Sequence, residues 1–315
     1  MKRATSVVDL VGGTPLVELG SVCRGRAAAV YGKLERFNPA GSVKDRIARA
    51  MVADAEARGI LRPAGTIVEP TSGNTGVALA MLGAARGYRV LLTMPDTMSI
   101  ERRRLSSAFG AELVLTPGAD GMRGAIDEAR RLADRIPGAV ILGQFDNPAN
   151  PRVHETTTAP EIWNATEGRV DIVVAGIGTG GTVTGVARFL RARKPTARVI
   201  GVEPAASPFL TEGRTGRHGI QGIGAGFAPA VLDVDLLSEI VCVSDADAAR
   251  WTRHLARDAG ILCGISSGAA LAATAAVTAR SDAEGAFVVA ILPDGGERYL
   301  SGSLWEGAND DRTNA

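Results

Sequence analysis

Only four of the 35 basic residues are lysine: Lys2, Lys33, Lys44 and Lys194. Arginine carries the surface charge, so a lysine kept inside Asn38-Pro39-Ala40-Gly41-Ser42-Val43-Lys44-Asp45-Arg46 points to amine chemistry that a guanidinium cannot perform. Pro39 and Gly41 end the preceding strand, and Ser42 is placed to cap the helix that follows. Lys44 then falls in the first turn, where the helix dipole disfavours a cation. Two explanations stand. The side chain snorkels to water, or its amine has a lowered pKa and is ready to form a Schiff base.

Three more segments rich in glycine and small polar residues stand at the start of helical stretches. Pro70-Thr71-Ser72-Gly73-Asn74-Thr75-Gly76 holds more small polar residues than one helix cap needs, and it suits a carboxylate. Gly176-Ile177-Gly178-Thr179-Gly180-Gly181-Thr182 lets several backbone N–H groups converge on a phosphate. The same residues satisfy G-x-G-x-x-G, and Glu203 follows at the end of the next strand, so a dinucleotide-binding fingerprint is an equal reading of this segment alone. In Gly264-Ile265-Ser266-Ser267-Gly268 a serine either caps an alanine-rich helix or meets the ring nitrogen of a cofactor. His154, His218 and His254 are scattered without a carboxylate cluster, so no metal site is expected. There is no G-x-S-x-G elbow and no Walker A segment.

The elements that must position these segments alternate along the chain. Strand-like runs lie at 29–34, 66–69, 89–94, 112–115, 140–142, 172–175, 198–202, 240–243 and 287–292. Helical patterns lie near 43–57, 74–86, 99–109, 121–134, 181–192, 245–258 and 267–279. That alternation predicts an α/β fold with parallel sheets covered on both faces, and the spacing favours two doubly wound units. Asn147-Pro148-Ala149-Asn150-Pro151 is the best boundary, since two prolines interrupt regular structure.

Composition removes other classes of function. The 315 residues suit two domains, and a net charge of +1 leaves no electrostatic footprint for nucleic acid or an anionic membrane. No apolar run approaches the ~20 residues that span a bilayer. The opening MKRATSVVDLVGG has no apolar signal core, so a cytoplasmic location is expected. Three separated cysteines, Cys23, Cys242 and Cys263, argue against a disulfide framework or a thiolate metal site.

Taken together, NPAGSVKDR, PTSGNTG, GTGGT and GISSGAA, in this order and spacing, resemble the fold type II pyridoxal-phosphate enzymes. The resemblance is closest to the cysteine synthase (O-acetylserine sulfhydrylase) family. Further matching stretches are MPDTMSIERRRL at 94–105, GMRGAI at 121–126, QFDNPANPRVHETTTAPEIW at 144–163, IQGIGAGF at 220–227 and LPDGGERYLS at 292–301, so the resemblance spans about residues 8–302. It implies a tryptophan synthase β-like α/β fold of two domains, each a twisted, mostly parallel sheet flanked by helices, with the active site in the cleft between them. Residues 1–12 with 35–148 would be a smaller mobile domain, and 13–34 with 149–315 a larger one carrying the phosphate loop.

The resemblance also implies roles. Lys44 would hold pyridoxal 5′-phosphate as a Schiff base and act as the catalytic base. Asn74 would bond the ring's phenolic oxygen, Gly178, Thr179, Gly180, Gly181 and Thr182 would wrap the phosphate, and Ser266 would face the ring nitrogen. Thr71, Ser72, Gly73, Thr75 and Gln144 would bind the substrate carboxylate, with Gly222 near its amine. The implied reaction is β-replacement on O-acetyl-L-serine by sulfide, through an aminoacrylate, giving L-cysteine and acetate. O-phospho-L-serine, or a different nucleophile making an unusual amino acid, is the alternative, and an NAD-dependent oxidoreductase a distant one. A homodimer is expected, and a serine acetyltransferase tail is a candidate partner. Asp294-Gly295-Gly296 departs from the family pattern close to Ser266. Arg214 and Arg217 are candidate mouth residues that would favour a phosphorylated substrate.

Overall fold

A computed structural model of the chain describes residues 3–20, 23, 25–71 and 73–305. Its strands are β1 (Leu16–Glu18), β2 (Ala29–Leu34), β3 (Thr66–Pro70), β4 (Arg89–Pro95), β5 (Glu112–Thr116), β6 (Val140–Ile141), β7 (Val170–Gly176), β8 (Arg198–Pro204), β9 (Glu239–Val243) and β10 (Phe287–Leu292). Its α-helices are α1 (Lys44–Ala57), α2 (Asn74–Arg86), α3 (Ile100–Ala108), α4 (Gly121–Arg135), α5 (Ala149–Val153), α6 (Ala159–Ala165), α7 (Gly181–Arg193), α8 (Phe209–Glu212), α9 (Asp245–Asp258) and α10 (Ile265–Thr278). The chain divides into two compact units, one of residues 1–11 and 38–150, the other of 12–37 and 151–315.

The first unit has a four-stranded sheet in the order β5-β4-β3-β6, parallel throughout. Val68 and Leu91 pack against Ala129 of α4, while α1 packs on α2. The second unit has a six-stranded sheet in the order β1-β2-β10-β7-β8-β9, where only β1 pairs antiparallel. Its apolar runs are sorted by the two-residue strand period. In β10, Val288, Ala290 and Leu292 enter the core beneath α9 and α10, while Val289 and Ile291 enter the core beneath α6 and α7. Strands buried on both faces read as unbroken apolar runs, which is why FVVAIL and DIVVA are visible in the sequence.

Two local features differ from expectation. β1 carries three half-exposed or exposed residues and no periodic signal. The NPANP segment is only partly irregular: Asn147 and Pro148 precede α5, while Pro151 sits in its first turn, where its missing N–H costs nothing, and the division between the two units falls inside the segment, after Asn150. From there the helix passes through a π-helical stretch at His154–Thr158 into α6. That stretch packs tightly on α7, since a methyl added at Gly185 would lie 2.2 Å from the Pro151 carbonyl oxygen and 2.7 Å from the Glu155 nitrogen. Among the described residues no helix is long and apolar enough to cross a membrane.

Candidate functional site

In the first unit, the loop before α1 is organised by Asp45 rather than by a serine cap. Asp45, buried in the first turn, accepts from the Ala40 N–H at 2.5 Å and from the Ser42 hydroxyl at 3.3 Å. Val43 occupies the N-cap position without a side-chain cap; Ser42 Oγ accepts instead from the Lys44 N–H at 3.2 Å. A carboxylate at this helix end offsets the cation beside it. Lys44 itself is half-buried. Lys33 and Lys194 are engaged elsewhere: Lys33, 1% exposed, donates to Glu161 at 2.7 Å, and Lys194 donates to Asp171 at 2.7 Å.

α2 starts on Gly73, which makes no side-chain cap. Thr71 Oγ1 accepts from the Gly73 N–H at 3.3 Å. The Thr75 hydroxyl donates to Gln144 Oε1 at 2.6 Å, joining two residues 69 positions apart in sequence. Thr71, Gly73, Asn74, Thr75 and Gln144 are thus gathered at the start of α2 and its neighbouring loop. Ser72 lies outside the described residues. Sequence reasoning missed Glu69, a buried carboxylate that ends the apolar run TIV in β3 and grips the Gln144 loop. An acid directly before the polar segment was the signal that could have found it.

The second unit builds its own cluster. α7 starts on Gly180, with φ +83°, and again has no capping side chain. A methyl at Gly178 would fall 2.4 Å from the Gly222 carbonyl oxygen, so backbone passes directly over backbone there. A methyl at Gly222 would come 3.9 Å from Ser266 Oγ. Gly178, Gly222 and Ser266 therefore share one neighbourhood. Ser266 is buried at the second residue of α10, whose N-cap is Gly264, so it is no helix cap. α3 and α9 are different: Ser99 and Ser244 cap them conventionally. His154, also missed, bridges the Thr158 hydroxyl at 2.9 Å and the Thr182 hydroxyl at 3.3 Å, and no sequence pattern announces the π-helical turn that places it.

Other expectations resolve physically. Glu203 serves no ribose: its carboxylate accepts from the N–H groups of Leu210 and Thr211, both at 3.0 Å, and from the Thr211 hydroxyl at 2.6 Å, at the start of α8. Arg214 is paired with Glu212 at 2.9 Å on the surface, and Arg217 is exposed. Asp294 is buried, accepts from the Tyr299 hydroxyl at 2.6 Å, and lies against Gly264 at the head of α10.

The donors of each unit, taken separately, are of the kinds pyridoxal phosphate needs. In the second unit the glycine run at the head of α7 offers backbone N–H groups and the Thr179 and Thr182 hydroxyls to a phosphate, and Ser266 offers a neutral hydroxyl; in the first unit Lys44 offers an amine.

A family model for pyridoxal-phosphate dependent enzymes matches residues 7–294. A cysteine synthase of Staphylococcus aureus is 49% identical over 305 residues, which is 96% of this chain and 98% of that relative. Among solved structures, a cysteine synthase of Entamoeba histolytica superposes with a TM-score of 0.94 at 45% identity, covering 97% of this chain and 91% of that one. An O-ureido-L-serine synthase superposes with the same TM-score of 0.94 at 45% identity, covering 97% and 96%.

Proposed function

This chain belongs to the pyridoxal-phosphate dependent enzymes, and from that premise we propose that it performs β-replacement on O-acetyl-L-serine with sulfide, giving L-cysteine and acetate. The observation that carries the reading is the pairing of Thr75 with Gln144 beside an uncapped helix start, because it orients the Gln144 NH2 donors next to the helix's first N–H groups, a donor set that suits an amino acid's α-carboxylate. The 49% identity to a cysteine synthase supports the choice of reaction. When bound, the cofactor supplies the electron sink that lets a proton leave Cα and a substituent leave Cβ. The residues of the chain do the rest.

Lys44 Nζ is the amine that would anchor the cofactor's aldehyde carbon, and the same amine would serve as the base for the Cα proton. Thr71, Ser72, Gly73, Thr75 and Gln144 hold the carboxylate and so fix Cα against that amine, which is the positioning share of the catalysis. Asn74 would meet the cofactor's phenolic oxygen, and residues 178–182 would receive its phosphate at the positive end of α7. Ser266 would present a hydroxyl to the ring nitrogen; unlike a carboxylate it would not hold a proton there, which would favour elimination over transamination. Gly222 would take the place near the substrate amine. The Cβ–O bond breaks with its electron pair leaving on acetate, sulfide forms the Cβ–S bond, and the Cα proton returns.

A second reading keeps the first half of the reaction and changes the nucleophile, favoured by the equal TM-score to the O-ureido-L-serine synthase. For O-phospho-L-serine the support is thinner, because Arg214 is already paired with Glu212. We also place the protein in the cytoplasm as a homodimer, with a serine acetyltransferase tail as a candidate partner. The deciding experiment supplies the holoenzyme with O-acetyl- or O-phospho-L-serine, and with sulfide or hydroxyurea, and measures each product. Cysteine from O-acetyl-L-serine at the highest kcat/KM is expected. A higher kcat/KM for the phosphoester, or for the hydroxyurea product, overturns the assignment.

A further inference from the structure

Glu69 is 1% exposed, and among the described residues no basic side chain is one of the groups acting on it. Burying a carboxylate that way is costly, so its contacts matter. β3 pairs with β6 through Ile67 with Val140 and Val68 with Ile141, and β6 ends there. The next pair in that register would be Glu69 with Leu142. Where the ladder stops, the Glu69 side chain takes over: Oε2 accepts from the N–H groups of Leu142 and Gly143, both at 3.1 Å, and Oε1 from that of Gln144 at 3.3 Å.

The carbonyls of the same three residues are held as well. Asn147 Nδ2 donates to Leu142 at 2.8 Å, the N–H groups of Asp146 and Asn147 to Gly143 at 3.2 and 2.9 Å, and Asn150 Nδ2 to Gln144 at 2.7 Å. Gly143, at φ +69°, makes the sharp turn that presents consecutive N–H groups to one carboxylate. A non-repetitive segment thus has every backbone polar group engaged, and its last residue is the one whose amide meets Thr75.

We infer that Glu69 is a positioning residue for substrate binding: it acts through Gln144, holding the 142–144 backbone so that the Gln144 amide stands beside Thr75. The inference rests on the reading of Thr75 and Gln144 as the carboxylate site. Burial pushes the Glu69 carboxyl up to about 7, with the repulsive charge of Asp146 adding to the rise and the three N–H donors opposing it. The sign follows. Above that pH the carboxylate serves all three donors; below it a proton occupies one oxygen, a donor loses its acceptor, and the Gln144 loop loosens.

The test is Glu69→Gln in the holoenzyme, with KM and kcat for the amino-acid substrate measured from about pH 6 to 9. At high pH, KM should rise on the order of tenfold, equivalent to about 1.4 kcal/mol, with kcat changed less than about twofold. The variant-to-wild-type KM ratio should fall toward one below pH 7, a comparison in which titrations shared by both proteins cancel. A purely structural role would lower stability without this pH signature. Should the variant not fold, the backbone 15N shifts of Gly143 and Gln144 in wild-type holoenzyme decide: they should titrate together with a midpoint near 7. A pH-independent ratio near one, or amides that do not titrate, overturns the role of Glu69. Wild-type enzyme inactive on every serine ester refutes the proposed reaction instead.

Discussion

Replacing Gly178 with alanine tests whether the close passage of two backbones holds the loop proposed to bind the phosphate. The new methyl would stand 2.4 Å from the Gly222 carbonyl oxygen and 3.5 Å from its carbon. Opening that contact to 3.0 Å needs a shift of 3.0 − 2.4 = 0.6 Å between two main-chain segments. The shift is resisted nearby, because the Gly224 N–H donates to the Ile177 carbonyl at 2.9 Å, tying the same two segments together. Gly178 is not among the positive-φ glycines, so the cost is steric rather than conformational. Overpacking of this kind costs roughly 1–3 kcal/mol. Expressed in the holoenzyme it should weaken the cofactor's Kd roughly 5- to 150-fold. The control is Gly213→Ala at the C-cap of α8, where φ is +68° and nothing lies within 4 Å of the added methyl. That change strains the backbone by about 1–2 kcal/mol without touching the loop. Cofactor titrated back into stripped protein, followed by absorbance, reads Kd; melting at saturating cofactor reads stability. Gly178→Ala should lose affinity, and Gly213→Ala only stability. Wild-type affinity in Gly178→Ala, or an equal loss in both variants, would refute the reasoning.

Two further outcomes are expected. Borohydride reduction of the holoenzyme followed by peptide mapping should place the pyridoxyl group on Lys44. Label on Lys33 would contradict its burial and its contact with Glu161. Burial pushes the Cys23 thiol up to about 11 and the Cys263 thiol up to about 12, so neither forms much thiolate at pH 8, whereas Cys242 is exposed. An aromatic disulfide reagent should therefore titrate one thiol per native chain and three after denaturation, and two or three fast native thiols would count against the buried placement.

The strands and helices that the sequence revealed are those whose burial writes a local period. β7 and β10 are covered on both faces, so their apolar runs are continuous, and α9 and α10 follow polar or glycine-rich starts that mark where each helix begins. The four glycine-rich segments were legible for a related reason: a chain that must bring backbone N–H groups to a ligand cannot carry bulky side chains there. β1 left no mark, because three residues at an exposed edge need no pattern. The π-helical turn left none either, since it depends on how closely Gly185 of α7 approaches the Pro151 carbonyl.

Residue types and their order therefore determined the fold class, the four loops and the kind of chemistry each could support. Tertiary structure decided which of several chemically able groups are committed elsewhere. Glu203 reads as a ribose acid until α8 folds onto its carboxylate, and Lys33 is one of four lysines until Glu161, 128 positions away, meets it. Glu69 is one acid among 34 until strand pairing carries 142–144 across to it. Hydrogen bonds and ion pairs act over about 3 Å whatever the separation along the chain. Local pattern records what a residue can do, and only the packed fold brings the partner that determines what it does.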